Sequence, residues 1–360
     1  MSTASRPQDT ASAPGPRRYR IVQWATGAVG RSVINGVLAR PDMELAGAWV
    51  HTPDKAGVDA GSLAGGEPAG VTATADIDDI LDLDADCVVY APGPSPDRVA
   101  ELDLVCGLLS SGKNVVSLNG FLYPQAHGPH YANELEQACK RGGVSVHGSG
   151  ISAGFMADAM PLMLTRLSQR ITHVYAREVS DFAEHPSWRM VHHMLGFGKT
   201  EEAYRRALRP ARTAMRALFS ESLHLVAAGL GVDLDEIDVD VEHRLARSDL
   251  TTAAGPVPRD TVAAARWTFS GLAAGRPVIT IEVVHKANAA QMCGEWGQPG
   301  YSLRVDGEPS LELAAGQEWV SDPIGAAASH ALNAVPAVCA AEPGIRTYLD
   351  LPMAGGRMRV

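Results

Sequence analysis

Strand-like and helix-like segments alternate regularly between Tyr19 and Gly148, and this alternation constrains the fold more than any other feature. Short β-branched runs are followed by turns and by stretches with apolar residues three and four positions apart. This pattern is typical of a parallel sheet whose faces are covered by helices. The predicted strands are residues 19–24, 44–50, 71–74, 87–91, 114–118 and 144–147, and the predicted helices are residues 28–39, 97–111 and 131–141. We therefore expect an α/β fold with a Rossmann-type, doubly wound parallel sheet.

The pattern changes after residue 151, where a predicted helix over residues 153–169 leads into longer segments that alternate with period two. Along residues 237–245 apolar side chains alternate with carboxylates, so one face of this strand is expected to be buried and the other solvated. Two hairpins and this strand together predict an α+β region with an open antiparallel sheet. The predicted hairpins join residues 261–272 to 277–287 and residues 301–305 to 310–313.

At 360 residues the chain is longer than one hydrophobic core usually serves, so two domains are expected. The N-terminal segment is rich in Ser, Ala, Pro and Thr and is expected to form a disordered tail. An apolar, small-residue helix over residues 324–341 is expected to pack back against the first domain. The expected division is residues 1–18 for the tail, 19–150 for the parallel-sheet domain, 151–322 for the antiparallel-sheet domain and 323–360 for the C-terminal helix and its tail.

Charge and cysteine usage narrow the classes of partner. The formal net charge is -10, and the Lys and Arg residues are scattered, so nucleic acid is not expected as a partner. The five cysteines are odd in number, far apart and embedded in apolar stretches, which suits reduced thiols, and no metal-ligand spacing is present. The longest apolar runs fall well short of the roughly 20 residues that span a bilayer. We expect a cytoplasmic protein with no membrane partner.

The segment from Ala25 to Arg31, directly after the first predicted strand, nearly matches the G-x-G-x-x-G fingerprint of dinucleotide-binding proteins. Gly27 would let a pyrophosphate approach the backbone, and Gly30 would let helix and strand pack closely. Ala25 replaces the first glycine, and an ordinary strand-to-helix turn is the alternative. Because the segment stands at the first strand–helix junction of a repeated pattern, we predict a dinucleotide site. Its cofactor-binding residues are Thr26, Gly27, Ala28, Val29 and Gly30.

The end of the second predicted strand bears on the choice between NAD and NADP. A carboxylate about 20 residues past the glycines would hold the ribose hydroxyls of NAD. This strand instead ends at His51 and Thr52, with Lys55 shortly beyond, so a 2'-phosphate could meet a hydroxyl and one or two cationic groups. Asp54 weakens this case, and a solvated loop is the alternative. We predict NADP as the cofactor and leave NAD open.

Three later junctions are expected to complete the site, because ligands of open α/β sheets lie outside the carboxyl ends of the strands. Residues 91–94 (Ala-Pro-Gly-Pro) would set a rigid apolar wall against the ribose or nicotinamide, although such a loop is often only a turn. The next two junctions follow the fifth and sixth predicted strands. The cofactor-binding residues predicted from the three junctions are Ala91, Pro92, Asn119 and Gly150.

Four segments form a recognisable set, namely residues 24–31 (WATGAVGR), 50–57 (VHTPDKAG), 112–116 (GKNVV) and 332–338 (LNAVPAV). They resemble the dihydrodipicolinate-reductase-like group, and within it the 2,4-diaminopentanoate dehydrogenases and native amine dehydrogenases. The resemblance implies reversible oxidative deamination of small amines to carbonyl compounds and ammonia with NAD(P), in homodimers whose second domain supplies the pocket and the interface. It also implies a Glu after the fifth predicted strand, where this chain has Asn119-Gly120.

This departure keeps other functions open. An amide cannot act as a general base and can only orient a water or an amine through hydrogen bonds. A carbonyl or imine reductase on the same scaffold is therefore one alternative. A non-catalytic dinucleotide sensor is another, because a fold alone does not specify an activity.

A polar row along residues 173–181 supplies candidates in the second domain. Tyr175 and Arg177 share one face of this predicted strand, and such a row belongs at water or in a pocket. Glu178 lies on the other face and could replace the missing carboxylate, with an interface salt bridge as the alternative. His285 ends an apolar row and resembles a pocket histidine of the amine dehydrogenases, with a core histidine as the alternative. The predicted catalytic residues are Asn119, Glu178 and His285, and the predicted pocket residues are Tyr175, Arg177 and His285.

Overall fold

The computed structural model describes residues 17–93, 97–292, 294–320, 322–353 and 355–358. One of its two sheets has six strands, and every pair of neighbours in it is parallel. These strands are β1 (Tyr19–Trp24), β2 (Met43–Trp49), β3 (Cys87–Tyr90), β4 (Asn114–Ser117), β5 (Ser145–Gly148) and β12 (Gly344–Ile345). Their order across the sheet is β12-β5-β4-β3-β1-β2.

Helices cover both faces of this sheet, which confirms the doubly wound prediction. On one face Val33 and Val335 pack with Ile21 and Val89, and on the other face Leu108 packs with residues that alternate with these along the strands. The first face is covered by α1 (Ala28–Leu38) and α8 (Pro323–Ala340), and the second by α4 (Arg98–Ser110) and α5 (Pro129–Gly142). Two short helices, α2 (Ala60–Leu63) and α3 (Ile77–Asp82), lie in the connection between β2 and β3.

The predicted strand over residues 71–74 is wrong. Only isolated bridges form there, joining Thr72 to Asp59 and Thr74 to Trp49. The backbone of this segment is used instead to hold the loop over residues 57–60. The sixth strand is β12, which is two residues long and therefore leaves no periodicity to detect in the sequence.

The second sheet also has six strands, and its order is β11-β10-β6-β9-β8-β7. The predicted antiparallel sheet is correct for every neighbouring pair except β6 and β9, which are parallel. The sheet is therefore mixed, because β6 inserts between two strands that follow it much later in the chain. Both hairpins form, and the β8–β9 turn places Ala274 and Gly275 at φ of 50° and 70°. The strands are β6 (Gln169–Asp181), β7 (Glu236–Leu245), β8 (Val262–Ala273), β9 (Arg276–Lys286), β10 (Gly300–Glu308) and β11 (Leu311–Gly316).

Two helices accompany this sheet, and neither matches the prediction from the sequence. The helix expected over residues 153–169 is only α6 (Ala159–Thr165), because Gly150 and Gly154 adopt positive φ and delay its start until Asp158 caps it. A 30-residue helix, α7 (Glu201–Leu230), is not predicted from the sequence at all. Its apolar side lies on one face of the sheet, where Phe219 stacks on Phe269 with ring centroids 4.5 Å apart. No helix in the described ranges combines the length and the apolar character needed to cross a membrane.

Candidate active site

The loops that follow β1 to β5 all meet at the carboxyl edge of the parallel sheet. From β1 the chain adds β2 on one side and then β3, β4 and β5 on the other, so a topological switch point lies between β1 and β3. Dinucleotides bind across such a crevice, with the adenosine ribose near the end of β2. A dinucleotide bound in this way would place its nicotinamide half near the loops after β4 and β5.

The fingerprint loop after β1 has the shape that a dinucleotide needs. Ala25 takes the left-handed conformation, with φ of 71°, that the first glycine of the fingerprint usually adopts. A Cβ on Gly30 would clash with the carbonyl oxygen of Ala25, so this position requires glycine. A Cβ on Gly27, at the start of α1, would meet nothing within 4 Å. The helix N-terminus therefore faces open space, where its N–H groups can receive a pyrophosphate.

The ammonium group of Lys55 lies beside the fingerprint loop. Lys55 Nζ lies 3.4 Å from both the carbonyl oxygen and Oγ1 of Thr26, while His51 and Thr52 are exposed. Asp59 is already engaged, because backbone N–H groups led by that of Ala69 donate to it and lower its pKa. This end of β2 can therefore offer an ammonium group and a hydroxyl to a phosphate.

The loops after β3 and β4 lie beside a buried carboxylate in the first turn of α4. Ala91 N–H donates to the Trp24 carbonyl and Pro92 is half-buried, whereas Pro94 lies outside the described residues. Asn119 Nδ2 donates to Glu101 Oε1 across 2.6 Å, and burial raises the pKa of Glu101. A carboxylate accepts, so this bond turns the amide nitrogen of Asn119 toward Glu101 and its Oδ1 away.

At the end of β5, a histidine from α8 contacts the predicted cofactor loop. His330 Nδ1 donates to the Gly150 carbonyl across 2.8 Å and stacks on Tyr348 with ring centroids 5.8 Å apart. Burial lowers the pKa of His330, which keeps the ring neutral. Asp158 lies in the same neighbourhood, and burial raises the pKa of its carboxyl group, which accepts from Ser222 Oγ across 2.7 Å.

On the second sheet, Glu178 and His285 lie on the face that α7 covers. Glu178 is opposite Val283 in the register, and Val283 packs in the same core as α7. Burial lowers the pKa of His285, and its Nδ1 is a buried atom with no hydrogen-bond partner in the described part of the chain. Tyr301, paired with Glu178, donates its hydroxyl to the Met156 carbonyl. This face therefore looks toward the segment that follows β5.

Tyr175 and Arg177 are not brought to that face. Neighbouring residues of a strand point to opposite sides, so these two lie on the other face of the sheet. There Arg177 pairs with Glu282 and donates to the Trp296 carbonyl, and the Arg304 guanidinium lies 5.5 Å from the Tyr175 ring. The structure thus groups Glu178 with His285 and separates both from the predicted pocket residues Tyr175 and Arg177.

Residues 155–359 match the family model described as the 2,4-diaminopentanoate dehydrogenase C-terminal domain. The chain belongs to the 2,4-diaminopentanoate dehydrogenase family. Residues 21–95 also match the model described as the N-terminus of dihydrodipicolinate reductase. Both matches confirm the resemblance found in the sequence.

Relatives and solved structures extend over nearly the whole chain. An amine dehydrogenase of Streptomyces virginiae is 29% identical over 349 residues, which cover 92% of this chain and 96% of that protein. A 2,4-diaminopentanoate dehydrogenase of Acetoanaerobium sticklandii is 24% identical over 341 residues, 93% of this chain and 94% of that protein. The solved amine dehydrogenase of Mycobacterium smegmatis superposes with a TM-score of 0.78 at 23% identity, covering 94% of this chain and 97% of that one.

Family membership confirms the predicted enzyme class, an NAD(P)-dependent oxidoreductase. The shape of the fingerprint loop agrees with it, because Gly27 leaves room for a dinucleotide at the start of α1. A cavity of about 810 Å³ also lies near the end of β5, lined by residues of α6, α7, α8 and the C-terminal segment. None of the predicted site residues lines this cavity.

Four residues near the carboxyl edge of the parallel sheet are not predicted from the sequence. Glu101, Asp158, Glu221 and His330 belong to no motif and lie far apart in the sequence. The packing of α7 brings Glu221 to the carboxyl edge of the parallel sheet, and the packing of α8 brings His330 there. The available signal is weak: a Glu or His in an otherwise apolar stretch of a helix, which needs a partner when buried.

Proposed function

We propose that this protein catalyses the reversible oxidative deamination of a small amine with NAD(P). In the forward direction R₂CH–NH₃⁺, NAD(P)⁺ and water give R₂C=O, NH₄⁺, NAD(P)H and a proton. The reverse direction is a reductive amination that consumes ammonia. The observation that carries the proposal is the position of Glu178 and His285 on one sheet face directed at the segment after β5, in a chain similar over 92% of its length to an amine dehydrogenase.

Different segments of the chain would bind different parts of the dinucleotide cofactor. The dinucleotide supplies the hydride acceptor or donor at C4 of its nicotinamide. Residues 26–30 would hold the pyrophosphate at the start of α1, and His51, Thr52 and Lys55 would face the adenosine ribose. We favour NADP because Lys55 is an ammonium group next to the fingerprint loop. Ala91, Pro92, Asn119 and Gly150 would border the nicotinamide half.

The residues proposed for proton transfer, Glu178 and His285, lie on the second sheet. Hydride leaves the carbon of an amine only after the ammonium group has lost a proton, and Asn119 cannot take it. Glu178 is a carboxylate on the correct face, with Ser180 Oγ donating to it across 2.5 Å. His285 stays neutral because burial lowers its pKa, so its buried Nδ1 can accept a hydrogen bond from an amine. We assign proton acceptance to Glu178 and orientation to His285 and Asn119.

We also propose a homodimer in the cytoplasm. The face of the second sheet opposite α7 carries ion pairs between half-buried side chains, such as Arg177 with Glu282 and Arg266 with Glu242. A partner subunit laid on this face would bury these pairs further. The four described cysteines are free thiols, in keeping with a reducing compartment. Light scattering coupled to gel filtration gives the mass, and a monomer at micromolar concentration would exclude the dimer.

The decisive experiment follows the loss of NADPH and of NADH with short ketones and aldehydes, each with and without excess ammonium. The proposal expects loss only when ammonium is present. Loss without ammonium would support the second candidate, a carbonyl or imine reductase, which is favoured by the amide of Asn119 where a general base is needed. Cofactor binding without any turnover would support a dinucleotide sensor.

A further inference from the structure

Glu221 is a buried carboxylate on α7 that reaches the loop after β4. It has no exposed surface, and its Oε2 accepts from the backbone N–H of Leu122 across 2.5 Å and from that of Tyr123 across 3.3 Å. Its Oε1 accepts from His127 Nε2 across 2.5 Å. The Glu221 carboxylate thus accepts three hydrogen bonds from groups in the first half of the chain.

The loop is shaped to receive an anion at this point. Gly120 and Phe121 both adopt the left-handed conformation, with φ of 78° and 64°. The backbone N–H groups of Leu122 and Tyr123, which follow these two residues, point toward the same carboxylate oxygen and make a nest for a negative charge. The Glu221 carboxylate occupies this nest. A non-glycine residue such as Phe121 holds this conformation only when its surroundings stabilise it, and these hydrogen bonds do so.

The loop is also fixed from its other side. A Cβ on Gly148, the last residue of β5, would overlap the backbone of Phe121 and Leu122, so the loop lies directly against this strand end. Near Gly120, the Glu221 Oε1 atom would be 3.5 Å from an added Cβ. Between β5 and Glu221 the loop has little freedom to move.

We propose that Glu221 is a positioning residue that holds the loop after β4 in the shape that receives the nicotinamide half of the dinucleotide. The inference rests on the proposed function, because the switch point assigns the adenosine half to β1 and β2 and the nicotinamide half to the loops after β4 and β5. Glu221 does not touch the cofactor. It acts through Asn119-Gly120, the junction between β4 and the nest.

The test compares two ligands that differ only in the nicotinamide half. NADPH or NADH, whichever the unaltered protein binds, is titrated by fluorescence, and ADP-ribose or its 2'-phosphate by calorimetry. In Glu221→Gln the charge is lost, and in Glu221→Asp the carboxylate is withdrawn from the nest. Glu236→Gln, an exposed carboxylate on β7, is the matched control.

We expect both Glu221 variants to bind the reduced dinucleotide about tenfold more weakly, the loss typical of a charge-assisted hydrogen bond. Binding of the ADP-ribose ligand should be unchanged, and the control should match the unaltered protein for both ligands. Equal weakening of the two ligands, or no weakening of either, would overturn the inference. Failure of both variants to fold would assign Glu221 to folding and also overturn it. A lack of dinucleotide binding by the unaltered protein would instead refute the proposed function.

Discussion

Asn119 and Glu101 form a 2.6 Å hydrogen bond at the end of β4, and the carboxylate determines which way the amide faces. Tyr90 donates its hydroxyl to the same Glu101 oxygen across 3.3 Å. Because Glu101 accepts both bonds, Asn119 presents Oδ1 rather than nitrogen to the side away from α4. An acceptor fixed in this way can orient an N–H group of the nicotinamide amide or of an amine substrate.

Replacing Glu101 by Gln should lower the catalytic efficiency. Gln can both donate and accept, so Asn119 would no longer be held in one orientation, and we expect kcat/KM to fall about tenfold, as for a lost charge-assisted bond. The control is Asp103→Asn, an exposed acid on the same helix. A Glu101→Gln variant with unaltered kcat/KM would contradict the orienting role.

The same variant should gain stability toward neutral pH. Burial raises the pKa of Glu101 above its usual 4.5, so the native state binds this proton more tightly than the unfolded state. Stability therefore declines as the pH rises from 4.5 through the raised pKa, and Gln removes that cost. Thermal melts should show a larger gain in Tm for Glu101→Gln at pH 7 than at pH 4. An equal change at both pH values would count against the linkage.

Alanine substitutions at two glycines of the fingerprint loop should affect different properties: stability at Gly30 and dinucleotide binding at Gly27. Gly30→Ala would push a methyl group into the Ala25 carbonyl oxygen, and such overpacking costs about 1–3 kcal/mol, visible as a lower Tm. Gly27→Ala meets no protein atom, so Tm should be unchanged, while its methyl group enters the space for the pyrophosphate and weakens dinucleotide binding. Melting curves and NADPH titrations check both effects. Unchanged dinucleotide binding in Gly27→Ala would move the cofactor away from α1.

Lys55 should decide the preference between NADPH and NADH. In Lys55→Met the ammonium beside Thr26 is lost, and NADPH should bind about tenfold more weakly while NADH binding stays within a factor of two, as expected for one phosphate contact. Lys140→Met, an exposed lysine on α5, is the control. If the two reduced cofactors lose affinity equally, Lys55 does not contact a 2'-phosphate.

Glu178 should control the rate of turnover, and His285 should control its pH dependence. Glu178→Gln should lower kcat by about 10²–10⁴, the range for loss of a general base, whereas the exposed Glu312→Gln on β11 should not. Burial lowers the pKa of His285 below its usual 6.5, so the ring is neutral at pH 7, and activity should be lost only as the pH falls through that lowered pKa. A pH profile of kcat/KM whose acidic limb lies above 6.5 would exclude His285 as the controlling group.

Patterns among neighbouring residues were enough to predict most elements of the parallel sheet, the fingerprint loop and one hairpin. The β-branched runs and amphipathic helices around the parallel sheet, the fingerprint from Ala25 to Gly30 and the β8–β9 hairpin are all encoded in neighbouring residues. The long helix α7 is not visible in the same way, because Pro210 and a run of arginines interrupt the apolar spacing in its first half. Its packing on the second sheet outweighs these weak local preferences.

Only the tertiary structure decided which side chains share the site. Sequence alternation separated the faces of β6, but it could not tell that the face with Glu178 lies under α7 while the face with Tyr175 and Arg177 lies opposite. Asn119 with Glu101, and Gly120 with Glu221, meet through contacts between segments that are 18 and 101 residues apart in sequence. Such contacts follow from how helices pack across strand ends, and no pattern among neighbouring residues specifies that packing.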